Sequence, residues 1–203
     1  LPIEVIVRGY LAGSSWRDYS AGQPISGIKL PSGMKKSQRF DKPIITPSTK
    51  EESGKHDLPI SCEDIVNSGI VEKTLWQQVE HYALSLFEFG SRRANKRGLI
   101  LVDTKYEFGL LKDSSGQKQL ILADEIHTQD SSRYWVQNTY KDRFEAGEDP
   151  EMLDKEFVRK WLIEQGFMGE GNIPHFSDTY RTDISLKYMD VFERITGKTF
   201  NST

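Results

Sequence analysis

The most informative stretch for the fold lies at residues 99–126 and reads LILVDTKYEFGLLKDSSGQKQLILADEI. Each half is rich in the apolar, β-branched and aromatic residues typical of strands, and the turn-forming sequence DSSG separates them. The pattern predicts two strands, Leu99–Leu111 and Lys118–Ile126, joined as a hairpin. In such a hairpin, residues near 107 and 123 lie opposite each other.

Charged residues occupy every second position in the middle of the first strand. Because side chains alternate across a strand, Asp103, Lys105 and Glu107 project from one face, and the two carboxylates should keep Lys105 charged. Three charges are costly if buried without partners, so they either face solvent as charge pairs or form a site. The hairpin would also bring Asp124 or Glu125 close to Glu107. Carboxylates without a His or Cys cluster are typical of Mg²⁺ held jointly with phosphate oxygens.

Apolar periodicity predicts the other elements. Residues 3–8 alternate as a strand, with Ile3, Val5 and Val7 on one face. Long helices are predicted at about 70–96 and about 177–197 by their helical spacing, and another helix is predicted to start at Asp149-Pro150. Residues 14–59 are rich in Gly, Pro, Ser and Lys without a sustained period, so we interpret them as a long irregular segment. This order of elements predicts the α+β class.

Composition limits the kind of protein. The chain has 203 residues, 36% of them hydrophobic, and a net charge of −3, which predicts one or two globular domains and argues against binding nucleic acid through its phosphates. No apolar run approaches the ~20 residues of a membrane helix. The single cysteine, Cys62, cannot form an internal disulfide, so a reducing, cytoplasmic location is expected. We therefore expect neither a nucleic-acid nor a membrane partner.

Two segments have the composition of phosphate receptors. Arg8 precedes a glycine-opened loop that contains Ser14, and Ser132 precedes Arg133 at the exit of the predicted hairpin. A guanidinium fork pairs with two phosphate oxygens, and hydroxyl and backbone N–H groups add donors. Each segment taken alone is more often an ordinary turn. No Ser-His-Asp or Cys-His arrangement is apparent, so covalent catalysis by a protein nucleophile is not supported.

Four stretches together resemble one enzyme family. PIEVIVRGYLAGS at 2–14, LVDTKYEFG at 101–109 and LADEIHTQDSSR at 122–133 resemble successive segments of the SAICAR synthetases, and ITPSTKEESGKHD at 45–57 is similar to their longer, yeast-like form. The resemblance covers most of the chain in the right order. It implies the large central and C-terminal part, residues 1–203, of a two-lobed, ATP-grasp-like fold with an antiparallel sheet and flanking helices.

The resemblance also implies an activity. In this family ATP phosphorylates the carboxylate of 5-amino-1-(5-phosphoribosyl)imidazole-4-carboxylate (CAIR), and the amine of L-aspartate then displaces phosphate to form SAICAR. The implied cofactors are ATP and Mg²⁺, and the implied partners are the small-molecule substrates. Such chemistry depends on charge neutralisation and positioning.

Site residues follow from the resemblance position by position. Lys105 and Asp103 would be catalytic, with Lys105 near the reacting phosphate or carboxylate, and Glu107 and Asp124 would hold Mg²⁺. Glu4 would lie near the adenine-side strand. The residues implied to contact substrate are Arg8, Ser14, Ser132 and Arg133 at the 5′-phosphate, and Lys50, His56 and Asp57 in a loop over the pocket.

The N-terminal lobe that the resemblance leads one to expect has no counterpart in residues 1–203. Members of the family begin with an N-terminal lobe whose glycine-rich strands and lysine cover the ATP phosphates. We therefore expect residues 1–203 to continue a larger protein and to bind ATP poorly alone, which puts their separate activity in doubt. Two other functions stay open: a Mg²⁺-dependent kinase of small molecules, and a non-catalytic module that binds phosphoribosyl ligands.

Overall fold

The computed structural model describes residues 1–50, 57–153, 155–169 and 171–200, without the side chain of Glu156. The strands are β1 (Ile3–Tyr10), β2 (Arg39–Ile45), β3 (Ser48–Thr49), β4 (Leu99–Lys112), β5 (Lys118–Ala123) and β6 (Ser132–Val136). The helices are α1 (Gly13–Ser20), α2 (Cys62–Asn67), α3 (Lys73–Asn95), α4 (Gln137–Glu145), α5 (Glu156–Glu164) and α6 (Asp178–Thr196). Among these described helices, none has the length and apolar character needed to cross a membrane.

The chain divides into two compact units. The first contains Leu1–Gly90 and Val102–His127, and the second contains Ser91–Leu101 and Thr128–Thr203. Each unit therefore uses two separate pieces of the sequence. The chain passes from one unit to the other within α3, within β4 and after His127.

The first unit is built on an antiparallel sheet with the strand order β2-β1-β4-β5, and β3 also pairs with β1. One face of β1 is apolar, because Ile3, Val5 and Val7 are at most 1% exposed. Helix α3 packs against this strand so closely that a Cβ atom at Gly9 would lie 3.1 Å from the ring of Phe87. Each such buried aliphatic side chain stabilises the fold by about 1.5–3 kcal/mol.

The second unit contains β6 and the helices α4, α5 and α6. β6 pairs with β4, whose first three residues belong to this unit. The buried residues of the unit include Leu99, Trp135 and Val191. The rings of Trp161 and Tyr180 stack 4.9 Å apart and join α5 to α6.

The main predictions about the fold are confirmed. Glu107 pairs with Ala123 in the hairpin of β4 and β5, as its turn sequence predicts. Helix α6 begins after Ser177, which accepts a hydrogen bond from the N–H of Tyr180, and ends at Gly197 with a φ of 70°. The α+β class, with an antiparallel sheet and flanking helices, is also confirmed.

The prediction of an irregular segment over residues 14–59 is wrong, because the described part of it contains α1, β2 and β3. These short elements surround a small core of Leu11, Ile25 and Phe40. Glycine and proline between them interrupt the periodicity. Pro43 lies within β2, where it is tolerated because β2 is an edge strand.

Two predicted boundaries also differ from the structure. No helix starts at Asp149-Pro150, and α5 begins only at Glu156. Residues 151–153 run beside β6 instead, since the N–H of Val136 donates to the carbonyl of Glu151 and the N–H of Leu153 donates to the carbonyl of Tyr134. Strand β5 ends at Ala123 rather than at residue 126, because the next residue has a φ of 64° and leaves the extended conformation.

Candidate functional site

The charged residues of β1 and β4 share one face of the sheet in the first unit. Arg8 pairs with Asp103, Ile6 with Lys105, and Glu4 with Glu107 in the antiparallel register. Alternation along both strands therefore places five charged side chains in two adjacent rows. They form two clusters, one around Arg8 and one around Lys105.

The cluster around Arg8 is buried and fully bonded. Arg8 Nη1 lies 3.1 Å from Asp103 Oδ2, and both residues are less than 10% exposed. Its Nε donates to Thr46 Oγ1 at 2.8 Å, and its Nη2 donates to Ser14 Oγ at 2.9 Å. All three guanidinium nitrogens have partners, which a buried charge requires.

Ser14 stands in the first turn of α1, directly after Gly13, whose φ is 60°. The sequence predicted a glycine-opened loop here, and the structure has the N-terminal turn of a helix instead. The first N–H groups of a helix lack intrahelical acceptors and favour anions. The hydrogen bond between Arg8 and Ser14 brings the guanidinium group to the start of α1. A guanidinium, a hydroxyl and helix N–H groups are the donors that bind an oxyanion.

The cluster around Lys105 is more open. Lys105 Nζ lies 2.7 Å from Glu4 Oε1 and 3.4 Å from Glu107 Oε1. Lys50 forms a further ion pair with Glu107. Lys105 is therefore bracketed by two carboxylates, one from each strand.

The surroundings of Lys105 favour its charged form. Burial lowers the pKa of Lys105, but the hydrogen bond and charge of Glu4 and the charge of Glu107 outweigh burial, so its pKa is raised. Asp103 and Glu107 were predicted to keep Lys105 charged, and this is correct for Glu107 but wrong for Asp103. The partners are Glu4 and Glu107, whereas Asp103 pairs with Arg8.

The hairpin places Asp124 one residue beyond the cross-strand partner of Glu107. Ala123 is the partner of Glu107, and Asp124 follows it as an exposed residue with a φ of 64°. Within the described residues, no three His, Cys, Asp or Glu side chains form a cluster that would hold a metal ion. Mg²⁺ is commonly held by one or two carboxylates together with phosphate oxygens, so this pair fits that donor set.

Lys50 and Asp57 flank residues 51–56. Lys50 contacts Glu107, so it belongs to the charged face, while Asp57 is exposed. The predicted substrate contact His56 lies outside the described residues. The roles of all three residues at the substrate pocket stay predictions.

Ser132 and Arg133 lie in the second unit, at the start of β6. Ser132 is buried, and its Oγ lies 3.3 Å from the Oγ of Ser131. Arg133 is half-buried. The assignment of both residues to the 5′-phosphate stays a prediction from the resemblance.

Two residues near the site were missed from the sequence. Thr46 accepts a hydrogen bond from Arg8, but it lies in the segment interpreted as irregular, and the resemblance over residues 45–57 gave it no role. His127 bonds to Tyr106, with 2.6 Å between Nε2 and the hydroxyl oxygen. Asp124, three residues earlier, was selected from the sequence because a carboxylate can bind a metal ion. A single histidine without nearby metal-ligating residues does not indicate a site.

Two surface cavities lie elsewhere in the first unit. One of about 370 Å³ is lined by residues between Leu30 and Ile44, and one of about 430 Å³ by residues between Cys62 and Glu80. Neither is lined by a predicted site residue. The candidate site is therefore an open charged face rather than either of these cavities.

Comparison with known proteins identifies relatives of this chain. The sequence model of the SAICAR synthetase family matches residues 1–174. A curated relative from Bacteroides thetaiotaomicron, named phosphoribosylaminoimidazole-succinocarboxamide synthase, is 48% identical over 202 residues. That match covers 98% of this chain but 63% of the relative, so the chain spans less than two thirds of the relative's length.

Solved structures agree with the sequence match. A SAICAR synthase from Saccharomyces cerevisiae, complexed with SAICAR, has a TM-score of 0.80 at 36% identity, covering 99% of this chain and 62% of that one. A SAICAR synthetase in complex with ADP has a TM-score of 0.65 at 27% identity, covering 100% and 66%. On the family match over most of its length, this chain belongs to the SAICAR synthetase family.

Proposed function

We propose that this chain forms the larger part of an ATP-dependent ligase that joins L-aspartate to CAIR and releases ADP and phosphate. The observation that carries the proposal is the charged face of β1 and β4. On this face Arg8 is paired with Asp103, and Lys105 is paired with Glu4 and Glu107. Family membership and the named relatives, one complexed with SAICAR and one with ADP, support the same reaction.

In the proposed reaction the carboxylate oxygen of CAIR takes the γ-phosphoryl group of ATP, which forms an acyl phosphate and ADP. The amine of aspartate then attacks the acyl carbon, so that a C–N bond forms and the bond to phosphate breaks. Both steps gather negative charge on oxygen atoms. A fixed cation therefore stabilises the transition states more than the ground states.

Lys105 is the residue that we assign to this task. Its ion pairs with Glu4 and Glu107 hold the ammonium group in one place and keep it charged. A charge that is already oriented needs little reorganisation when the phosphate moves. Glu4, which we assign to the adenine side, also takes part in this pairing.

Glu107 and Asp124 would hold Mg²⁺ in the proposed site. The ion would supply charge neutralisation on the phosphate oxygens of ATP. The support is the pairing of Glu107 with Ala123, which brings Asp124 to the neighbouring position. The ion pairs of Glu107 with Lys105 and Lys50 limit the rotamers that its carboxylate can adopt.

Arg8 and Ser14 would bind the 5′-phosphate of the ribotide. Their support is the hydrogen bond between them and the start of α1 at Ser14, where N–H groups favour anions. Asp103 holds the guanidinium in place through its ion pair, and its catalytic role is part of the proposal.

We further propose that an N-terminal lobe of the same enzyme completes the ATP site and that the protein is of the longer, yeast-like form. The support is the 63% coverage of the relative and the higher TM-score with the yeast structure, 0.80 against 0.65. The single cysteine fits a reducing cytosol, which we propose as its location.

A substrate-dependence assay tests the proposal on the complete protein. ADP release should require CAIR and aspartate together, and SAICAR should form in equal amount. ADP release without aspartate would indicate a small-molecule kinase instead. Binding of CAIR without any ADP release would indicate a non-catalytic phosphoribosyl-binding module.

A further inference from the structure

His127 is anchored on the apolar side of β4, opposite the charged face. Its Nε2 lies 2.6 Å from the hydroxyl oxygen of Tyr106, a fully buried residue of β4. The two rings meet edge to face, with centroids 5.6 Å apart. This bond joins the segment after β5 to the core of the first unit.

The anchor fixes the far end of the short segment that carries Asp124. At the near end, Ala123 pairs with Glu107, and at the far end His127 bonds to Tyr106. Tyr106 and Glu107 are consecutive on β4, so their side chains point to opposite faces. Only residues 124–126 lie between the two fixed points.

The backbone of this segment needs such support. Asp124 and His127 have φ angles of 64° and 55°, the left-handed region that non-glycine residues rarely adopt. Conformations of this kind persist only where the surroundings determine them. The pairing of Ala123 and the bond of His127 are two such determinants.

Gly90 of α3 makes room for the imidazole ring. A Cβ atom at this position would lie 2.5 Å from Cε1 of His127 and less than 3.0 Å from both ring nitrogens. No side chain can therefore occupy position 90 while His127 keeps its place. In a helix interior glycine is otherwise destabilising by ~0.5–1 kcal/mol relative to alanine, so a stabilising substitution is expected wherever space allows.

We propose that His127, held by Tyr106 and seated over Gly90, is a positioning residue that fixes the backbone at Asp124, one residue beyond the cross-strand partner of Glu107. The inference rests on the proposed function in one respect, the use of Asp124 and Glu107 as ligands of the divalent ion. His127 itself contacts neither the ion nor the substrates in this scheme. Its effect on Asp124 passes through the backbone of Glu125 and Ile126.

The test compares Mn²⁺ binding in the presence of ADP, followed by electron paramagnetic resonance, among variants of the complete protein. His127→Ala should raise the dissociation constant for Mn²⁺ by ~10-fold or more, the effect of removing a support of a metal ligand. The KM for CAIR should change less than ~2-fold. His127→Gln, which keeps a polar group within reach of Tyr106, should retain most of the affinity.

Gly90→Ala provides an independent perturbation of the same contact. It should weaken Mn²⁺ binding as His127→Ala does, because its new methyl group takes the space of the ring. In the His127→Ala background the same substitution should cause no further loss, since the ring is gone. His81→Ala, which removes an exposed histidine of the same helix, is the matched control and should bind Mn²⁺ normally.

The combined results distinguish a failure of this inference from a failure of the proposed function. Normal Mn²⁺ affinity in His127→Ala, with weakened affinity in Glu107→Gln, overturns the role of His127 alone. Additive losses in the Gly90 and His127 double variant also overturn it. Normal affinity in Glu107→Gln overturns the ion site and this inference together, while aspartate-dependent ADP release still tests the ligase activity separately.

Discussion

Lys105 and Glu4 form an ion pair between the two middle strands of the first unit's sheet, with 2.7 Å between Nζ and Oε1. This pair sets the position of the ammonium group before any substrate binds. We expect Lys105→Met to lower kcat by at least ~100-fold, the scale of removing one preorganised donor, while KM values change less. Steady-state kinetics of the complete protein check this. Lys118→Met, at the exposed start of β5, is the control. Near-normal turnover of Lys105→Met would show that Lys105 forms only a surface ion pair.

Arg8 has a structural role besides its proposed one. Arg8→Ala leaves the carboxylate of Asp103 buried without its guanidinium partner, so we expect the free energy of unfolding to fall by about 3–5 kcal/mol. Ser14→Ala removes a single hydrogen bond to Arg8 and should lower it by about 1 kcal/mol. Denaturant unfolding measures both. If Arg8→Ala and Ser14→Ala lowered the free energy of unfolding equally, Arg8 and Asp103 would not form a stabilising buried ion pair.

Ligand affinity separates the phosphate role of Arg8 from stability. Arg8→Lys keeps the positive charge beside Asp103 but loses the planar fork that binds two oxygens. We expect the KM for CAIR to rise by about 10-fold and the KM for ATP to change by less than about 2-fold. Parallel increases for both substrates would show that Arg8 does not select the ribotide phosphate.

Cys62 should react slowly with alkylating reagents. Burial, followed by the charge and hydrogen bond of Glu80, raises the pKa of the Cys62 thiol to about 12. The thiolate, which is the reactive form, is therefore scarce near pH 8, and we expect iodoacetamide to react ~10³-fold more slowly than with an unfolded chain. Glu80→Gln should accelerate the reaction, because it removes a negative charge beside the sulfur. Equal rates for the folded and the urea-unfolded protein would contradict the prediction.

His127 should make stability depend on pH. Burial lowers the pKa of His127 below its ordinary value of 6.5, so the unfolded chain binds a proton at higher pH than the folded one. This contribution to stability is present above about pH 6.5 and is lost as the pH falls through the folded-state pKa. Denaturant unfolding between about pH 7.5 and about pH 5 should show a steeper loss in the wild type than in His127→Gln. The same slope in both proteins would exclude His127 as the source.

The elements with local signals could be predicted from the sequence. The DSSG turn fixes the hairpin register, which is why Glu107 and Ala123 were expected to face each other. Helical spacing predicts α6, and the caps Ser177 and Gly197 mark its two ends. The face shared by Asp103, Lys105 and Glu107 follows from strand alternation.

The remaining features depend on tertiary contacts that no local pattern contains. The core of Leu11, Ile25 and Phe40 forms from residues far apart along the sequence, so α1 and β2 were missed. Glu4 was expected near adenine, and only the pairing of β1 with β4 brings it to Lys105. The choice between Glu4 and Asp103 as the partner of Lys105 likewise depends on Arg8, which bonds Asp103 from the neighbouring strand.

The interleaving of the two units along the sequence limits how the chain can be shortened. A truncation after His127 would retain the whole first unit but also Ser91–Leu101, a strip that belongs to the other. That strip includes Leu99, Ile100 and Leu101, each at most 6% exposed in the intact chain. Without β6 and the helices after it, these side chains would meet water and promote aggregation. Screening of expression boundaries should therefore keep the residues after His127 together with the first unit, rather than stop where the first unit ends.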